Sequence, residues 1–271
     1  MLDLTRPAIS VRQLQDALPE DLRGVQWLGA GLRGSHAHGT ALPAEDPNAT
    51  EDLDLFLVKV EKRETYLALN KRHRDQFDTA GQTLDILVYD ARKFVRLLQD
   101  QNPNVHQWLH TRPIYETGFW QTLQKRAPSL ISKQMFSRLI GYAQGQLDKM
   151  TKLAQEGLTG KGSTRFMGAR RKELFGKYGY DVKNAAHALR LASVAKHLAR
   201  DGQFVVELGE EGNERLRSVK KGLLTLSSVR VLFEHELTEF RKYEEHAPLP
   251  DRVPNEVFEE VWLEALDANC L

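Results

Sequence analysis

Gly34-Ser35-His36-Ala37-His38-Gly39-Thr40, followed by Asp52-Leu53-Asp54-Leu55-Phe56-Leu57-Val58, is the stretch on which the reading of this chain turns. The second piece reads as a strand. Its far end is apolar on both faces, which marks a buried, central position. Upstream, Val25 to Ala30 is apolar and breaks at Gly29-Ala30-Gly31, predicting a strand and a turn. Residues 34–50 are rich in Gly, Ala, Pro, Asp and Asn and read as loop. Leu84-Asp85-Ile86-Leu87-Val88-Tyr89 is another buried strand. Ala91 to Gln99 then reads as a helix with an apolar stripe from Phe94, Val95, Leu97 and Leu98, and Asp90 at its N-cap.

Asp52 and Asp54 are two apart on a strand, so both side chains point to one face, about 6.6 Å apart along it. Carboxylates that close repel unless a cation neutralises them. Mg²⁺ (or Mn²⁺) is the natural partner, because it is held by one or two carboxylates together with substrate phosphates. A third carboxylate on a neighbouring strand would complete a two-metal site. Asp85, near the start of the next strand, is the best placed. Asp90 is an odd number of residues from Asp85 and is explained by capping. A lone Asp-x-Asp is weak, since most such pairs sit at strand ends or turns.

The turn adds to it. Glycine lets backbone approach a phosphate closely, and a helix starting at Ser35 would aim free N–H groups at that anion. Gly34 and Ser35 are therefore candidates to hold a phosphate group, with His36 as a further phosphate contact. As metal ligands His36 and His38 are weak, and a loop histidine is more often solvated or capping.

The N-terminal part also carries short helices over 10–18, with Ser10 as N-cap, and over 63–73. After Pro128 the character changes. Residues 132–155, 181–200, 225–246 and 255–268 show helical periodicity, and strand signals nearly vanish. The expectation is an α+β fold: a mixed sheet flanked by helices over 1–128, then an all-helical domain over 129–271. The glycine-rich stretch 156–180 carries Lys161, Arg165, Arg170, Arg171 and Lys172 and reads as a mobile basic loop. In the helix that follows, Lys183, His187 and Arg190 share one face, and Asp181 is its N-cap. That face could bind triphosphate, with Arg190 bidentate. From periodicity alone, a solvated basic face is the better reading. Tyr178 and Tyr180 could stack on a base or anchor the core, and the four tryptophans read as packing.

Net charge is only +1, which excludes a uniformly basic nucleic-acid binder. The distribution is uneven. Glu45 to Asp54 holds five acidic residues and no basic one, whereas Lys161 to Arg200 holds ten basic residues against two acidic. A metal site and a phosphate-binding surface would look like that, although charge runs are usually solvated faces. The one cysteine, Cys270, excludes a disulfide framework and a thiolate zinc site. No apolar run is long enough for a membrane span, and the first residues lack a secretory signal, so a cytoplasmic setting is expected.

Gly34-Ser35, Gly39 and Asp52-x-Asp54 together resemble the signature of DNA polymerase β-like nucleotidyltransferases. More closely, Gly34 to Thr40 with Glu51-Asp52-Leu53-Asp54 is similar to predicted bacterial and phage nucleotidyltransferases associated with RNA repair. Residues 92–104, the helix signature from Gly179 to Leu191, and the turn Lys220-Lys221-Gly222 extend the resemblance over about 25–225.

That resemblance implies the nucleotidyltransferase fold, two metals on Asp52, Asp54 and Asp85, and nucleotide transfer from a nucleoside triphosphate. It tips Lys183, His187 and Arg190 toward triphosphate binding. It does not name the acceptor. The basic stretch 161–200 favours a polyanion, and RNA is the preferred one. A catalytically silent nucleotide- or RNA-binding sensor and a protein-nucleotidylating enzyme are the alternatives. A metal-dependent phosphohydrolase would show His–Asp clusters at helical spacing, and there are none.

Overall fold

The structure is a computed structural model and describes residues 9–23, 25–50, 52–69, 74–80, 84–159 and 169–268. Contacts divide the chain into two units: Met1–His38, Glu51–Ser132 and Pro250–Leu271 in one, and Gly39–Thr50 with Lys133–Leu249 in the other.

The first unit opens with two short helices, α1 (Val11–Ala17) and α2 (Glu20–Arg23). Ser10 caps α1 in a reciprocal box with Gln13, as its position predicts. Among the described residues, five strands form one sheet: β1 (Gln26–Leu32), β2 (Leu53–Val60), β3 (Gln76–Ala80), β4 (Leu84–Asp90) and β5 (Pro113–Glu116). Their order is β3-β4-β2-β1-β5. Only β2 and β4 run parallel. The two edge strands, β3 and β5, carry polar residues and a leading proline and gave no clear strand signal.

Between β1 and β2 lies the single turn α3 (Gly34–Ala37), and α4 (Arg63–Leu67) follows β2. One sheet face is covered by α5 (Ala91–Gln99), α6 (Pro103–Leu109) and α7 (Gly118–Arg126). Phe56 of β2 stacks on Trp108 at 4.6 Å and on Trp120 at 5.7 Å in this core. Asp90 caps α5 by accepting from Arg92 N–H, and its other oxygen accepts the Tyr66 hydroxyl at 2.6 Å. Burial and that carboxylate push the Tyr66 phenol well above its ordinary pKa.

The second unit is helical: α8 (Gln134–Thr159), α9 (Ala169–Tyr178), α10 (Val182–Asp201), α11 (Gly209–Lys220) and α12 (Leu226–Tyr243). α10 is its axis and packs on α8, α11 and α12. Its alanines at 185, 186, 188, 192, 195 and 199 are buried, and small side chains let neighbouring helices come close. Asp181 caps it by accepting from Lys183 and Asn184 N–H.

Two findings differ from the division at residue 128. The last helix, α13 (Asn255–Asp267), belongs with the sheet, because Phe258, Val261 and Ala265 complete the α5–α7 core. Residues 39–50 belong with the helices, because α11 ties them down. The expected loop over 156–180 is also corrected: α8 runs to Thr159 and residues 169–178 are helical. Residues 160–168, where Lys161 and Arg165 fall, lie outside the described residues. No helix among the described residues is long and apolar enough to cross a membrane.

Candidate functional site

Parallel pairing of β2 with β4 sets Asp54 opposite Asp85 in the ladder. Residues in register on parallel neighbours share a face and lie about 4.8 Å apart across the strands. Asp54 is on the face of Phe56 but beyond its cover, at the start of β2, so its carboxylate reaches solvent. The Arg33 guanidinium lies between the pair. Its Nη2 is 3.5 Å from Asp54 Oδ1 and 3.0 Å from Asp85 Oδ1. Arg33 is pinned to β2 as well: its N–H donates to Asp54 O at 2.9 Å, and its Nε–H donates to Leu55 O at 3.0 Å.

Asp52 precedes β2 and is exposed. The structure thus joins Asp54 and Asp85, while Asp52 lies on the coil two residues before Asp54. Among the described residues no three His, Cys, Asp or Glu side chains form a metal-holding group. The Asp54–Asp85 pair still fits a small divalent ion. Both donors are hard oxygens, and both are already gathered on one cation.

The turn after Arg33 depends on glycine. Gly34 has φ +65°, and a Cβ there would overlap the Asp54 carboxylate. The bare Cα is what lets the turn and the carboxylate share this space. Ser35 and His36 follow in α3, both half-buried. His38 is buried, and its Nε2 lies 3.0 Å from Gln107 Oε1, so it serves the packing of its own unit.

In the helical unit, Lys183 is exposed while Arg190 is 4% exposed, so the shared face grades from solvent to core. Arg190 Nε has no hydrogen-bond partner, and burial lowers its pKa to about 10. Burial, then the charges of Arg190, Lys220 and Lys149, push the His187 imidazolium down to about 3. The structure therefore groups His187 and Arg190 with Lys149 of α8 and Lys220 of α11. A cation cluster with a desolvated guanidinium at its base is suited to a polyanion.

The turn Lys220-Lys221-Gly222 has a local reason as well. Lys220 Nζ donates to Thr40 O at 2.8 Å, and its carbonyl accepts from Asn48 Nδ2 at 3.0 Å. Asn48 Nδ2 also donates to the Tyr178 hydroxyl at 2.9 Å, and Arg217 Nη1 donates to Gly39 O at 2.8 Å. Gly222, at φ +71°, has no room for a Cβ beneath the Tyr178 ring. Tyr180 is buried and donates to Leu224 O at 2.7 Å, so it is a core anchor rather than a stacking platform.

Arg33, Lys149 and Asn48 were missed in the sequence. Arg33 was findable: if β1 runs antiparallel to β2 with Leu32 opposite Leu55, the next residue meets Asp54. Lys149 and Asn48 carry no sequence signal, because their partners come from other helices.

A crystal structure of a nucleotidyltransferase-like protein from Exiguobacterium sibiricum 255-15 aligns with 90% of this chain and 82% of its own. Identity is 12% and the TM-score 0.27, too loose a superposition to carry an argument. The uncharacterized protein YcgL of Bacillus subtilis (strain 168) is 29% identical over 107 residues. That match spans 40% of this chain and 39% of its relative. The model of RlaP, the RNA repair pathway DNA polymerase beta family, matches residues 13–255, and the chain belongs to that family.

Proposed function

We propose that this protein transfers a nucleoside monophosphate from a nucleoside triphosphate to an acceptor hydroxyl, with RNA as the preferred acceptor. The observation that carries this reading is the in-register Asp54–Asp85 pair beside the Gly34 turn. Family membership supports the reaction class, and the family's name supports RNA.

Asp52, Asp54 and Asp85 would hold Mg²⁺ or Mn²⁺, which supplies charge neutralisation at the phosphoryl oxygens. Gly34 and Ser35 hold the β- and γ-phosphates, with His36 beside them. Asp85 accepts the proton of the acceptor hydroxyl. The acceptor oxygen bonds to the α-phosphorus, the bond to the β-phosphate oxygen breaks, and pyrophosphate leaves. Positioning in line and electrostatic stabilisation account for most of the acceleration. Within the helical unit, His187 and Arg190, with Lys183 toward solvent, bind a polyanion. The cytoplasm supplies the setting.

The test is incubation with Mg²⁺, each α-labelled nucleoside triphosphate and total cellular RNA, beside an Asp52→Ala/Asp54→Ala control. Label in RNA that needs the aspartates supports the reading. Label on the protein itself would favour protein nucleotidylation instead. Nucleotide binding with no transfer to any acceptor would favour a sensor, and label transferred equally by the control would overturn the site.

A further inference from the structure

Two carboxylates side by side on parallel strands would repel, and in this fold the chain supplies its own cation to hold them. Arg33 meets both oxygens through one nitrogen, at 3.5 Å and 3.0 Å, and its backbone and Nε are bonded to β2. The side chain is 23% exposed and the two carboxylates 26% and 38%, so the group is shielded yet open to an arriving ion.

We propose that Arg33 is the resident counter-cation of the Asp54–Asp85 pair, which a divalent ion enters only by displacing its guanidinium, freeing it for an incoming polyphosphate. This rests on the nucleotidyl-transfer reading of the same pair. Mg²⁺ demands carboxylate oxygens at about 2.0–2.1 Å in a near-octahedral shell. A guanidinium 3.0–3.5 Å from the same oxygens competes for them and repels the ion. Displaced, Arg33 still stands next to the Gly34–Ser35 turn, where its planar fork matches a phosphate bidentately. Metal and triphosphate then favour each other's binding, and by linkage the effect is reciprocal. The nucleotide-free protein thus holds metal weakly.

The probe is Mn²⁺ alone, with free ion read by electron paramagnetic resonance, on the full chain. Arg33→Met is expected to bind Mn²⁺ at least about fivefold more tightly than the unmodified protein. Arg33→Lys keeps the charge without the fork and should fall between. Asp54→Asn should lose the binding. If Arg33→Met binds no more tightly while Asp54→Asn still loses Mn²⁺, the counter-cation role is overturned and the transfer reading stands. If Asp54→Asn binds Mn²⁺ as well as the unmodified protein, both are overturned. Arg33→Met also loses the bond to Leu55 O and could fold poorly. The unmodified protein offers a second readout in the Arg33 Nε–H resonance. Its protection from exchange should fall as Mg²⁺ is added, and full protection at saturating Mg²⁺ overturns the displacement.

Discussion

Asp54 and Asp85 occupy one rung of the parallel β2–β4 ladder, and a single nitrogen of Arg33 touches both. The rung is therefore an electrostatic unit, and its members are not equivalent to change. Asp85→Asn leaves Arg33 paired with Asp54, so the melting temperature should move little. Transfer should fall by two to three orders of magnitude, because a positioned charge at the reacting centre is lost. Thermal melts beside label incorporation separate the two effects. A large loss of stability with activity retained would assign the pair to the fold.

Gly34→Ala tests the turn. The substitution places a methyl group where the Asp54 carboxylate lies and forces an L residue to φ +65°. A non-glycine residue in that region costs about 1–2 kcal/mol before any overlap. Stability by denaturant titration should fall by at least that much, and nucleotide binding should weaken with it. Unchanged binding would remove the turn from the site.

Loop 39–50 owes its place to a few side chains. Asn48 is 6% exposed and bonds both the Tyr178 hydroxyl and the Lys220 carbonyl. Asn48→Ala removes both bonds, each worth about 0.5–1.5 kcal/mol net. Amide exchange should speed up across 39–50 and around 220, while α10 amides keep their protection. Uniformly faster exchange would show that the loop belongs to the global unit.

What was legible follows from how local each signal is. β1, β2, β4 and α5 were readable because their apolar patterns and caps lie within a few residues, as Asp90 and Asp181 show. The apolar run that marked β2 as an inner strand has its counterpart in β4, and Asp85 was chosen because it lies near the start of that strand, though the register joining it to Asp54 is a long-range fact. β3 and β5 were not readable, because edge strands bury little and pattern weakly. The return of α13 to the sheet was hidden for another reason. Amphipathic periodicity shows that a helix has an apolar face but not which core receives it.

His187 makes the helical cluster sensitive to its ligand. Burial is the first cause of its low pKa, and the charges of Arg190, Lys220 and Lys149 add to it. A bound polyanion offsets those cations, so the imidazole gains proton affinity. Inorganic trimetaphosphate, whose own charge does not change between pH 5 and 7, should therefore bind with proton uptake and more tightly at pH 5 than at pH 7. Calorimetry in buffers of different ionisation enthalpy reads the uptake. His187→Gln should abolish it, and binding without uptake in the unmodified protein would place the anion elsewhere.

Two further histidines make the fold sensitive to acid. His106 is fully buried with Nε2 2.9 Å from Leu98 O, and burial pushes its pKa down to about 4. Burial does the same to His110, also to about 4. The folded protein keeps both neutral, whereas an unfolded chain protonates them near pH 6.5. Below that value the unfolded state binds more protons, so stability is lost as pH falls from 6.5 toward 4. The slope is at most about 1.4 kcal/mol per pH unit for each histidine. His106→Gln can still donate to Leu98 O and does not titrate. Denaturant melts between pH 7 and 4.5 should show a shallower loss for this variant than for the unmodified protein. Equal slopes would mean that His106 is already protonated in the fold, which its full burial argues against.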